Sequence, residues 1–145
     1  MSYDGKDLVD WAAFAQARAE LGAGFVRILG YFREDGLKSV LAIEEGIRAK
    51  NSAAIVIPAH TLKGESLQFG AEPLGALAEH IEKTARRCVE LRQEPDELIS
   101  EVVKLRPLFE QTLGLLEREA NPIVERKASN GLSGFGRRPA TFGRA

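Results

Sequence analysis

The residues best suited to chemistry lie near the middle of the chain, where His60 is followed three residues later by Lys63. At about 100° per residue, a helix through this region turns His60 almost directly away from its apolar stripe. Lys63 and Gly64 share the face of the histidine, and Val56 and Leu67 flank it. We therefore expect an exposed imidazole with an ammonium group beside it and apolar side chains around it.

An imidazole in this setting is suited to accepting a phosphoryl group. Imidazoles titrate near pH 6.5, so much of the ring is neutral and nucleophilic at neutral pH without a neighbouring base. Lys63 would neutralise charge on the transferred group. Gly64 weakens a helix by roughly 1 kcal/mol relative to alanine, and clearing space for another molecule would explain its presence. For a lone histidine, the plainer interpretation is a surface residue with no role.

Other parts of a catalytic centre are missing from the sequence. It contains no P-loop, no Gly-rich nucleotide loop and no second histidine placed to form a metal pair. We therefore expect no cofactor and no bound metal, and we expect the phosphoryl donor and its Mg²⁺ to come from outside the chain. The second histidine, His80, and the Arg86–Arg87 pair are predicted to be ordinary solvated positions on a helix surface.

The elements that position His60 are predicted to be helices, because apolar residues recur three and four apart through residues 1–120. The first two expected helices are a short one capped by Asp7 or Asp10 and a long one that ends at about Phe32. After a break at Asp35–Gly36, a third helix is expected from Leu37 to Ile47. Three more are expected from Asn51 or Ser52 to Phe69, from Pro73 to Cys88 and from Pro95 to Leu116. Gly70 is the expected end of the helix that carries His60.

Such helices cannot bury their apolar stripes alone. The arrangement that buries these stripes best is an all-α, up-and-down antiparallel four-helix bundle with an extra short N-terminal helix and a C-terminal extension. For the helix that carries His60, the predicted core face consists of Ile55, Ala59, Leu62, Ser66 and Phe69.

Charge divides the chain into two parts, a bundle of residues 1–120 and a tail of residues 121–145. The bundle has 15 Lys and Arg against 20 Asp and Glu, a net charge of −5, whereas the tail has a net charge of +4. The tail is rich in Gly, Ser and Arg and contains Phe-Gly-Arg twice. Its plain interpretation is disorder, and the alternative is a docking segment that tunes partner choice.

Composition also restricts location and partners. No apolar run approaches the roughly 20 residues of a membrane-spanning helix, and the acidic N-terminus lacks the apolar stretch of a signal peptide. Cys88 is the one cysteine, so we expect a reduced, buried thiol and a cytoplasmic protein. The acidic bundle argues against nucleic acid as a partner, and a monomer is expected.

The segment Ala59-His60-Thr61-Leu62-Lys63-Gly64, with Phe69-Gly70-Ala71 and then Leu74, Ala78, Ile81 and Glu82, resembles the signature of histidine phosphotransfer (HPt) domains. The resemblance is close over residues 55–82 and looser upstream. It implies that His60 is phosphorylated at Nε2 by a receiver-domain aspartate and passes the group to another receiver. It also implies that Lys63 lies beside the phosphoryl group, that Gly64 keeps the ring accessible, and that Gln68 orients the imidazole.

The resemblance implies a phosphocarrier in a two-component phosphorelay, without kinase activity of its own, with receiver domains and a hybrid histidine kinase as partners. Two other interpretations stay open at the level of sequence. One is a helical interaction module that binds a response regulator without being phosphorylated. The other is the phosphorylated N-terminal domain of a chemotaxis-type histidine kinase, although the chain is too short to include an ATP-binding domain.

Overall fold

The computed structural model describes residues 8–121, and this region is helical without any strand. Its helices are α1 (Trp11–Leu21), α2 (Phe25–Arg48), α3 (Ala53–Gln68), α4 (Glu72–Glu90) and α5 (Ile99–Ala120), with short 3₁₀ turns at Gly22–Gly24 and Asp96–Leu98. The predicted all-α class is confirmed. The predicted tail lies outside the described residues apart from Asn121.

Helices α2 to α5 form the bundle, and α1 is the extra N-terminal helix. Each bundle helix packs against the next one in the chain, and α5 returns to pack against α2. Two bidentate ion pairs join α2 to α5, from Arg33 to Glu117 and from Arg106 to Glu44. Because the earlier residue of α2 pairs with the later residue of α5, these two helices run antiparallel.

The predicted break at Asp35–Gly36 is wrong, because α2 continues without interruption from Phe25 to Arg48. Gly36 is buried within this helix, and a β-carbon added there would lie 2.5 Å from Cε1 of Phe109. The glycine therefore lets α5 approach α2 closely and does not end the helix. The chain breaks earlier, at the Gly22–Gly24 turn, where Gly22 has a φ of +56°.

The ends of α3 agree with the prediction. Asn51 accepts a hydrogen bond from the backbone N–H of Ala54 at 3.1 Å, and thereby caps the start of the helix. Gly70 follows its end with a φ of +78°, a conformation that favours glycine. The Gly70 carbonyl also accepts a hydrogen bond from the N–H of Asp10 at 2.8 Å, so this turn anchors the segment that leads into α1.

The five predicted core residues of α3 are all fully buried, which confirms the helix phase. At one end of the core, aromatic rings form a continuous chain with centroid separations of 5.2 to 5.7 Å. Its members are Trp11, Phe14, Phe25, Phe69, Phe32 and Phe109. Cys88 is buried, as predicted. Among residues 8–121, no helix is long and apolar enough to cross a membrane.

Candidate functional site

His60 projects from the middle of α3 into solvent, as the helix phase predicts. Its side chain is 57% exposed. Ile57 and Leu67 are exposed on the same side of the helix, and Val56 is half-buried. A β-carbon added to Gly64 would meet no atom within 4 Å. The surface around the imidazole is therefore open and partly apolar.

The imidazole is held by Glu82, which belongs to the neighbouring helix α4. Nδ1 of His60 lies 3.0 Å from Oε2 of Glu82. The histidine is exposed, but the Glu82 side chain is only 7% exposed. The hydrogen bond therefore connects an accessible ring to a buried carboxylate.

Two cations share the same carboxylate. Lys63 places Nζ 3.2 Å from Oε1 of Glu82, in an ion-pair contact. Arg86 donates from Nε and Nη2 to Oε2, at 3.0 and 2.9 Å. Glu82 thus connects the histidine and lysine of α3 to the arginine one turn further along α4.

Opposing effects act on the pKa of Glu82. Burial raises it, but hydrogen bonds from Arg86, Lys63 and His60 together outweigh burial, so the pKa lies below its ordinary value. The carboxylate is therefore ionised at neutral pH and can only accept hydrogen bonds. A neutral imidazole must then carry its proton on Nδ1 to donate to Glu82.

This choice of tautomer determines which ring nitrogen is nucleophilic. With the proton on Nδ1, the lone pair of the neutral ring lies on Nε2. Nε2 has no hydrogen-bond partner among residues 8–121. The site therefore presents an unprotonated ring nitrogen, and the carboxylate that holds the ring also binds an ammonium and a guanidinium group.

Close packing of α3 against α4 makes this arrangement possible. Gly75 of α4 is buried, and a β-carbon there would lie 2.7 Å from Cδ2 of Leu67. Leu67 therefore lies directly against α4 while keeping part of its surface exposed. Antiparallel packing then brings Glu82, later in α4, opposite His60, earlier in α3.

Glu82 and Arg86 are the residues whose roles the sequence analysis missed. Glu82 was part of the family resemblance but received no role, and Arg86 was expected on a solvated face. The spacing of four residues between them was the available signal, because such pairs meet on a helix. Gln68 is exposed at the last position of α3, and its predicted role in orienting the ring stays a prediction.

A second carboxyl group of α3 lies in a different environment. Glu65 is half-buried, and its Oε1 atom is buried without a hydrogen-bond partner among the described residues. Burial, followed by the charge of Asp35 on α2, raises the pKa of Glu65 to about 7. No group of three or more potential metal ligands occurs within residues 8–121.

Comparison with protein families gave a match that covers most of the described region. A family model described as Hpt domain matches residues 27–119, well over half of the chain and including all four bundle helices in whole or large part. The matched region contains His60, Lys63, Glu82 and Arg86. Neither the curated proteins nor the solved structures include a significant match.

Proposed function

The chain belongs to the Hpt domain family, and from this membership we propose that it relays a phosphoryl group through His60 between receiver-domain aspartates. Hpt domains are phosphotransfer modules of two-component signalling and act as phosphocarriers rather than enzymes. We further propose a hybrid histidine kinase upstream and no kinase activity in the chain itself. The single observation that carries the proposal is the bond from Nδ1 of an exposed imidazole to buried Glu82.

The transfer step follows from this geometry. Nε2 of His60 attacks the phosphorus of a receiver's aspartyl phosphate. The N–P bond forms as the P–O bond to the aspartyl carboxylate breaks, and the electron pair leaves with the carboxylate. The ring keeps its Nδ1 proton and becomes cationic, and the Glu82 carboxylate stabilises that charge. The reverse step delivers the group to the aspartate of a second receiver.

The surroundings of the ring fit a protein as the phosphoryl donor. Open space over Gly64 lets the receiver's active site reach the imidazole. Ile57 and Leu67 provide apolar surface at the edge of the contact, and Lys63 lies within reach of the phosphoryl oxygens. An imidazole that projects from an open helix surface suits a donor presented by another protein better than a small substrate that needs a cleft.

The proposal is tested by transfer of labelled phosphoryl groups from phosphorylated receivers. Wild type is compared with His60→Gln, and His80→Gln is the matched control, because these are the two histidines of the chain. Acid-labile label on wild type and His80→Gln but not on His60→Gln is expected. Receiver binding without any label on wild type would favour the interaction module instead.

A further inference from the structure

We propose that Arg86 is a positioning residue that holds the Glu82 carboxylate in place when Lys63 moves from Glu82 to the phosphoryl group. The inference rests on the proposed function and deepens it. It assigns the two cations of the site to different tasks. Lys63 is the exchangeable partner of the carboxylate, and Arg86 is the permanent one.

The contacts of Glu82 distinguish the two cations. Arg86 donates twice to Oε2 and lies on the same helix, four residues later. Its contact therefore does not depend on how α3 sits against α4. Lys63 approaches the other oxygen, Oε1, from the neighbouring helix through a single ion-pair contact. Its four-carbon stem can turn the ammonium towards His60, one turn earlier on α3.

Phosphorylation creates competition for Lys63. A phosphoryl group on Nε2 brings two negative charges to the surface that Lys63 flanks. If Lys63 turns to it, Oε1 of Glu82 loses its counterion inside the protein. A buried carboxylate without a cation is strongly unfavourable. The two hydrogen bonds that Arg86 donates to Oε2 keep the carboxylate paired in that situation, since they do not involve Lys63.

Charge balance supports the same assignment. The phosphorylated ring, with its proton on Nδ1, has a net charge of −1, and Glu82 adds another negative charge. Lys63 and Arg86 together neutralise both. Without Arg86, the single ammonium of Lys63 would have to serve the carboxylate and the phosphoryl group at once. We therefore expect removal of Arg86 to reproduce the effect of removing Lys63.

The test is a mutant cycle in which the phosphoryl donor is phosphoramidate, which reacts with imidazole directly and needs no receiver. Every variant carries His80→Gln, so that His60 is the sole histidine. Arg86→Ala and Lys63→Ala are each expected to slow phosphorylation of His60 about tenfold. Arg86→Lys should restore much of the rate. Arg87→Ala is the matched control, because Arg87 pairs with Glu97 and not with Glu82.

The decisive comparison repeats Arg86→Ala in a Glu82→Gln background. The amide side chain in this background has no charge for Arg86 or Lys63 to neutralise, so Lys63 is free to turn to the phosphoryl group. Loss of Arg86 should then change the rate of phosphorylation less than twofold. An unchanged tenfold loss in that background would overturn the inference and make Arg86 a direct ligand of the phosphoryl group. A wild-type rate in Arg86→Ala itself would also overturn it.

These outcomes are separable from failure of the proposed function. A chain that takes no phosphoryl group from receivers would fail the proposed function, yet its reaction with phosphoramidate would still report on Arg86. Circular dichroism of each variant checks that the bundle is folded. The more conservative Arg86→Lys variant provides a second measurement if Arg86→Ala is unstable.

Discussion

Nδ1 of His60 on α3 lies 3.0 Å from Oε2 of Glu82 on α4, so a buried carboxylate orients an exposed imidazole. This relationship connects the fold to the chemistry. The packing of two helices determines which nitrogen carries the proton. That choice leaves Nε2 unprotonated on the side of the ring that a partner can reach.

Removing the carboxylate should change both the tautomer and the rate. Glu82→Ala is expected to raise the population of the Nε2–H tautomer and to slow transfer from a receiver by about 10- to 100-fold, because a charged hydrogen bond of roughly 1.5–3 kcal/mol is lost. ¹⁵N NMR of the ring measures the tautomer. For Glu82→Gln, the tautomer population and the rate should lie between those of wild type and Glu82→Ala, because its amide oxygen can still accept a hydrogen bond from Nδ1–H.

The control for this prediction is Glu79→Ala. Glu79 lies one turn before Glu82 on α4 and pairs with Lys83 in a more exposed position. We expect it to leave the ring tautomer unchanged. An unaltered ¹⁵N spectrum in Glu82→Ala would show that the carboxylate does not determine the tautomer.

Gly64→Ala should separate stability from transfer. A methyl group there meets no other part of the protein within 4 Å, so higher helix propensity should stabilise the bundle by about 1 kcal/mol. The same methyl group would occupy the space that the receiver needs, so transfer should slow about tenfold. Denaturant unfolding and a transfer assay measure the two effects. A stabilised variant that transfers at the wild-type rate would contradict the role of Gly64 in access.

Gly36→Ala should destabilise the protein although alanine is the better helix former. The added methyl group would lie 2.5 Å from Cε1 of Phe109 in a close α2–α5 contact, and overpacking of this kind costs about 1–3 kcal/mol. Gly30→Ala is the matched control on the same helix, because its methyl group meets no atom within 4 Å. Denaturation should show opposite signs for the two variants. Equal stabilisation by both would mean that α2 and α5 are not in close contact at Gly36.

Glu65 should make stability depend on pH near neutrality. Its folded pKa of about 7 lies above the ordinary value of 4.5, so the folded state binds a proton more tightly than the unfolded chain does. The free energy of unfolding should therefore fall as pH rises from 4.5 to 7. It should change little from this group above that window. Because Glu65 is partly exposed, we expect a total effect of about 1–2 kcal/mol.

Glu65→Gln should remove this dependence and make the protein more stable than wild type at about pH 8. Denaturant unfolding at about pH 5 and pH 8 measures the difference. Asp35→Asn should reduce the effect in part, because the charge of Asp35 contributes to the raised pKa. Glu34→Gln, which changes an exposed neighbour of Asp35, is the control. Parallel pH profiles for wild type and Glu65→Gln would contradict the prediction.

Much of the architecture could be predicted because it depends on local periodicity. The stripe through Ile55, Leu62 and Phe69 identifies the buried face of α3, and the opposite face then contains His60 without knowledge of any other helix. Gly70 indicates the end of α3 for the same local reason. The break expected at Gly36 was wrong because a glycine has two uses. Glycine can end a helix, or it can let a neighbouring helix pack closely against it. The local sequence does not distinguish these two uses.

Three properties of this protein follow from sequence alone: the region before the tail is helical, as residues 8–121 are in the structure, His60 faces outward, and Lys63 and Gly64 accompany it. They follow because helical phase is a property of one segment. Glu82 and Arg86 are part of the site only because α3 packs against α4 in the register that places Leu67 against Gly75. That register joins His60 to a carboxylate 22 residues away in the chain. No pattern within a single helix specifies it, because the contacts that fix it form only when the two helices meet.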